Sequence, residues 1–343
     1  MVHFGCGCVA LYNKAILMMD AVRCYSISTV NVLVVCEDKE VGERVNDALK
    51  DYFSMAETET CQNKDTITLR FKSHACPLKF PETARELTSS NNLRVLKDGN
   101  SAFLIRGDSV FHIDLLTGIG TGFLDKGFWE WTQKVQQEFF MLKLLWLLHG
   151  HNLYGLHANG LAEHGVGILL VGDTGSGKTT ISLSLIMQGW KYLSDDVVLL
   201  ASDHCGVTAM AFQRGFSFDP FLARHYSVLK KPHETQIPGE GKTFLDIAGL
   251  YPNAYLASCV PRILIFPKIV PFDKTKLVPF DRTKALIYLM RNSGGSMIDK
   301  ARSIRQIDVL KQLVYQSVCY ELHLGQDMYK KPEDISDILL GIW

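Results

Sequence analysis

The sequence predicts an α/β chain of two parts: a small α+β domain over 1–125 and a larger α/β domain over 126–343. Three observations carry this. An apolar run at 167–171 leads straight into a glycine-rich stretch at 172–179 and then a helical pattern. A strand-then-helix unit occupies 29–53, and the polar, turn-rich segment that follows it reads as short strands and a hairpin. At 343 residues, with 47% hydrophobic and 21% charged residues, the chain has material for two cores.

In chain order, the β-rich run 29–35 predicts a strand, and Val41, Val45, Leu49 and Phe53 stand at helical spacing behind it. Strands are expected at 66–71 and 93–96, with breakers at Pro77, Pro81 and Asn91–Asn92. A hairpin is expected at 102–105 and 109–115 around Arg106, Gly107 and Asp108, closing the first domain near Gly122. Residues 129–148 predict a long helix belonging to the second domain, its aromatics serving as core. Strands at 155–162 and 167–171 come next, then a helix from Lys178 that stops at Gly189. Residues 192–200 read as a strand interrupted at 194–196, and 207–212 as another. Strands at 261–266 and 318–324 are separated by helical patterns at 284–291 and 303–316.

Lys plus Arg equals Asp plus Glu at 36 each, so no global field would draw nucleic acid or an anionic membrane to the chain. Nine cysteines without a CxxC pair fit a reducing cytoplasm better than a disulfide framework. Cys6 and Cys8 are read as ordinary thiols, and residues 1–19 lack the pattern of a signal peptide. The longest apolar stretch, 139–148, contains Lys143 and falls short of the roughly 20 residues that span a bilayer.

The stretch Gly172, Asp173, Thr174, Gly175, Ser176, Gly177, Lys178, Thr179 is a complete phosphate-binding loop, and Thr180 continues it into the helix. Glycines let backbone N–H groups close around a phosphate, and the first helical turn adds its positive dipole end. Lys178 reaches β/γ oxygens, and Thr179 offers a hydroxyl to Mg²⁺. ATP and Mg²⁺ are the ligands this predicts. A bound triphosphate also calls for a carboxylate near the cation and, for transfer to an alcohol, a group that accepts the proton. Asp195 and Asp196 lie one helix and one turn beyond the loop, enough chain to return to the carboxyl edge of a sheet. Neighbours on an extended segment point to opposite faces, so one carboxylate is expected as base and the other as metal partner. His157, on the strand before the loop, is placed to orient one of them. Arg214 and Arg262 are candidate phosphate clamps, because guanidinium matches phosphate oxygens.

Gly239–Thr243 imitates the end of a second loop, but Gln236 stands where the first glycine belongs. GxSxG, HExxH and GxGxxG do not occur, which removes the common hydrolase, zinc-protease and dinucleotide readings.

The run His157, Gly172–Thr179, Ser194–Asp195–Asp196 resembles, in type and spacing, the catalytic domain of the HPr kinase/phosphorylase family, whose fold is related to that of the ATP-dependent phosphoenolpyruvate carboxykinases. The resemblance covers roughly 115–340 and is strongest between Leu156 and Leu200. It is greater towards the HPr-kinase-like proteins of bacterial biosynthetic clusters, some of which look like kinases of ribosomal peptide precursors. Ile113–Asp114, Thr117–Gly118, Leu156–His157–Ala158, Trp190 and the tail from Cys319 through Gly325 are similar to that branch. It implies that Asp195 is the general base, that His157 is its partner, and that Lys178 and Thr179 serve ATP and Mg²⁺; the residues then leave Asp196 as the metal partner beside Thr179. Taken with the residues, this gives the expectation of a kinase acting on Ser or Thr of a peptide or small protein, with a small molecule as the other acceptor class and acceptor recognition by the first domain. Two departures stand out: Phe212 occupies the place of the family's metal-binding glutamate before Arg214–Gly215, and the first domain is unlike that of the regulator kinases. The competing readings are a nucleotide-responsive binding protein and an ATPase without an acceptor; oligomeric state is left open.

Overall fold

Alternating apolar residues and close-packed turns give a mixed α/β chain with several sheets, divided into two compact units. The computed structural model describes residues 21–58, 65–74, 76, 79–90, 93–213, 215–218, 234–236, 243–245, 247–271, 274–293 and 300–342. The expectations for residues 1–19, for Arg214 and for Gly239–Lys242 fall outside them. Among the described residues no helix is long and apolar enough to cross a membrane.

The first unit takes in described residues up to Asp51 and from Met55 to His151. Its nine strands are β1 (Ala21–Ile27), β2 (Val30–Cys36), β3 (Ala56–Thr58), β4 (Thr66–Lys72), β5 (Arg85–Ser90), β6 (Leu93–Asp98), β7 (Ser101–Arg106), β8 (Ser109–Asp114) and β9 (Ile119–Phe123). They form one sheet in the order β3-β1-β2-β4-β9-β8-β7-β6-β5. Helix α1 (Lys39–Tyr52) buries Val41, Val45 and Leu49, the stripe read from the sequence. Strand β1 was not anticipated: the β1–β2 turn carries Ser28 at φ 54, without the Asn-Gly signal that usually marks such a hairpin.

Helix α2 (Gln133–Leu148) falls in this first unit, so the expected boundary at 125/126 gives way to one just after His151. The reason is packing. Phe140 meets Phe71 edge-on, and Gly120 of β9 leaves room for Phe111 and Leu147, since a Cβ there would lie 2.7 Å from the Phe111 ring. The aromatics of α2 are core, as expected, but of the first sheet.

The second unit comprises Tyr52–Ser54 and the described residues from Asn152 on. Its strands are β10 (Tyr154–Leu156), β11 (Ala158–Glu163), β12 (Val166–Val171), β13 (Lys191–Ser194), β14 (Val198–Asp203), β15 (Gly206–Ala211), β16 (Phe216–Phe218), β17 (Glu234–Gln236), β18 (Thr243–Leu245), β19 (Ser258–Cys259), β20 (Pro261–Ile269), β21 (Lys276–Pro279) and β22 (Val318–Leu324). A six-stranded sheet runs β13-β11-β12-β20-β22-β21, with β12, β20 and β22 parallel, and a four-stranded sheet runs β10-β14-β15-β19. Strands β16 to β18 make a small third sheet.

The central strands are apolar on both faces, as a doubly covered sheet requires. Ile168 and Leu170 join Ile263, Ile265 and helix α3 (Lys178–Met187) in one core. Leu169 and Val171 join Leu264, Phe266 and the helices Arg282–Arg291 and Lys300–Gln316 in the other.

Candidate functional site

Strand β12 ends at Val171, the backbone turns through 172–177, and α3 begins at Lys178. Two glycines make the turn. Gly175 and Gly177 sit at φ 84 and 99, where side chains are strained, and a Cβ on Gly177 would meet Leu324 Cδ1 at 2.6 Å. Asp173, Thr174 and Gly175 are exposed, whereas Ser176, Thr179 and Thr180 are partly buried. Lys178 is only 5% exposed and is held inside its own loop. Its ammonium donates to the carbonyls of Gly172 at 2.6 Å and Asp173 at 3.3 Å, and to His157 Nε2 at 3.2 Å.

The remaining groups meet at a seam between two sheets. The chain leaves the four-stranded sheet at Leu156 and enters the six-stranded sheet at Ala158, so His157 stands at the crossing. Strand β13 leaves the six-stranded sheet at Ser194, and β14 enters the four-stranded one at Val198. Leu156 pairs with Val198 and Gly160 with Ser194, so 157–159 and 195–197 face one another where both chains change sheet. Gly160 permits the close approach: a Cβ there would stand 2.9 Å from Leu193 Cβ and 3.1 Å from Val198 Cγ1.

The acidic turn is tight. Val197 N–H donates to the Asp195 carbonyl at 2.7 Å across Asp196, which sits at φ 64. That is a γ-turn of the rare positive-φ kind, and it points the two carboxylates apart. Ser194 Oγ donates to the Val197 carbonyl at 2.6 Å and accepts from Gln213 N–H at 2.8 Å, while Gln213 Oε1 accepts from Val197 N–H at 2.9 Å. Asp195 is buried and accepts from Asn159 Nδ2 at 2.6 Å. Asp196 is exposed, with its Oδ1 3.8 Å from His157 Nδ1.

His157 therefore lies beside Asp196, and Asp195 has Asn159 as its partner instead, which corrects the expected His157–Asp195 pairing. The physical reason is the γ-turn, which turns the second carboxylate towards the imidazole and the first inward. An ammonium has only donors, so its contact makes Nε2 the acceptor nitrogen and leaves the ring proton on Nδ1, facing Asp196. Burial, and then the Lys178 charge, hold the His157 pKa below the ordinary histidine value, with Asp196 and Asp173 pulling it partly back up.

Arg262 is not near the loop. It is exposed at the start of β20, whose Pro267 packs near Gly172, so five strand residues, about 16 Å, separate it from the phosphate end of the sheet. A phosphate clamp at Arg262 is thereby set aside. Phe212 is fully buried, its ring 5.0 Å from that of Phe53, so an apolar contact fills the place expected for a glutamate. Asn159 and Gln213 were not assigned roles from the sequence. An amide on a strand carries no motif, and its value shows only once three elements converge on it.

No protein-family model matches the chain, and no curated protein does. Among the solved structures that it does match is the Hpr(Ser) kinase/phosphatase from Coxiella burnetii. That chain is 14% identical, and the alignment covers 53% of this chain and 93% of that one, with a TM-score of 0.28. A TM-score at this level carries neither fold detail nor chemistry from one protein to the other.

Proposed function

We propose that this chain is an ATP- and Mg²⁺-dependent kinase that transfers the γ-phosphoryl group to a hydroxyl of a peptide or small protein. The observation that carries the reading is the convergence of Lys178, His157 and Asp196 at the mouth of a glycine-turned loop. Each part suits a triphosphate with its cation. The buried ammonium and the N–H groups at the start of α3 complement phosphate charge, Thr179 stands at the first helical turn, and two carboxylates lie near by. Mg²⁺, held by Thr179 and a carboxylate, would supply positive charge that neutralises the leaving group.

The geometry favours a division of labour opposite to the one expected from the sequence. Asp196, exposed and backed by an imidazole whose proton lies on its side, takes the hydroxyl proton. Asp195, buried and held by Asn159, is the carboxylate for the cation side, together with Thr179. His157 orients Asp196, and Lys178 with 172–180 holds the phosphates.

The test uses γ-labelled ATP, a peptide or lysate acceptor pool and the two single variants. Asp196→Asn should bind nucleotide nearly as the wild type does yet transfer nothing, whereas Asp195→Asn should weaken Mg²⁺-dependent nucleotide binding. Full transfer by Asp196→Asn would remove that residue from the base role. Phosphate release without a labelled acceptor would favour an ATPase, and nucleotide binding without turnover a responsive binding protein. The apolar Phe212 is the feature that favours the last.

A further inference from the structure

We infer that Asn159 is the positioning residue of this site, a buried amide that fixes the acidic turn against the helix carrying the phosphate loop. Its part in turnover rests on the phosphotransfer reading above, but its part in holding the turn does not.

Asn159 lies on β11 with no exposed surface. One side-chain N–H goes to Asp195 Oδ1 at 2.6 Å and the other to Ser182 Oγ of α3 at 3.0 Å, while its Oδ1 accepts the Asp196 backbone N–H at 3.3 Å. Both donors are used, and the acceptor is engaged as well. Three elements that are separated in sequence thus share one planar group: strand β11, the helix after the loop and the acidic turn. No other side chain of this size does all three. Aspartate lacks the donors, serine is too short, and leucine would leave a buried carboxylate facing methyl groups. The turn needs such support, because a non-glycine residue at positive φ persists only where its surroundings over-determine it.

Asn159→Asp probes a single contact. The backbone N–H of Asp196 and the hydroxyl of Ser182 still find an oxygen, but the bond to Asp195 becomes two carboxylates at hydrogen-bond distance. Like charges directly opposed should loosen the turn. Melting temperature, nucleotide binding and turnover are therefore measured for wild type, for Asn159→Asp and for Asn159→Asp combined with Asp195→Asn. Turnover of the single variant should fall roughly a hundredfold, as misplacing a reacting group by an ångström does, and its melting temperature should fall with it. The combined variant exchanges donor and acceptor and should return the melting temperature towards wild type. A residue that merely packs would show no such recovery.

No deficit in Asn159→Asp, or no recovery in the exchanged pair, would overturn the assignment. Should Asn159→Asp fail to fold, the exchanged pair decides, its folding supporting the role and its failure removing it. If the wild-type chain transfers phosphate to nothing, the phosphotransfer reading fails while the melting comparison still judges Asn159.

Discussion

Each unit of the molecule buries a lysine, and the two could hardly be treated more differently. Lys178, in the second unit, is 5% exposed and has its ammonium on two loop carbonyls and an imidazole. Lys143, on α2 in the first, is 1% exposed, lies among the rings of Phe111, Phe139 and Phe140, and has no hydrogen-bond partner among the described residues. Burial drives the Lys143 pKa well below the lysine range, with Arg106 adding to the effect. A buried charge-bearing group marks a ligand site when its surroundings offer it polar partners and an opening. Where they offer only rings, it marks a cost to stability.

Lys178→Met should produce the largest effect, lowering turnover by roughly 10²–10³-fold and weakening nucleotide binding, as loss of a preorganised charge donor does. Titration calorimetry and the labelled-ATP assay measure both, and unchanged turnover would erase the contrast between the lysines. Lys143→Met should act in the opposite sense, raising stability by about 1–3 kcal/mol with turnover unaltered, because an unpartnered buried amine is replaced by an apolar chain of similar length. The gain should depend on pH. With the native pKa depressed, the unfolded chain binds the proton first as pH falls from the ordinary lysine value, so wild-type stability is fully present above that value and declines below it. Thermal melts should show the variant's advantage narrowing towards alkaline pH; an advantage constant with pH would mean that burial does not depress the Lys143 pKa.

His157→Gln is the smallest change, expected to cost turnover about tenfold, since it deletes an orienting contact and no phosphate ligand. The wild-type imidazole, depressed by burial and by Lys178, stays neutral at neutral pH. Its contribution to stability is present above the ordinary histidine value and is lost as pH falls through the lower native one. The glutamine variant should lose that acid limb in melting curves; an identical limb in both proteins would assign the titration elsewhere.

Much of this was legible in one dimension, and the gaps have physical causes. The stripe of α1, the hairpin of β7 and β8, the loop and the break at 194–196 follow from periodicity and glycine placement. Strand β1 escaped because its turn lacks the usual residues. The apolar face of α2 reports that the helix is buried, not against what, so its place in the first unit is not readable from its own residues. The acidic pair was found, but which carboxylate faces His157 was not, because strand alternation does not describe a residue at φ 64.

The phosphate loop with its preceding strand and following helix is determined locally, since glycine freedom and helix dipoles act within about ten residues. The pairing of His157 with Asp196, of Asn159 with Asp195 and of Ser194 with Gln213 arose only when two strand pairs changed sheets at one seam. That crossing depends on register, on the missing Cβ of Gly160 and on two cores that claim alternate residues, and such long-range competition leaves no trace in neighbouring letters.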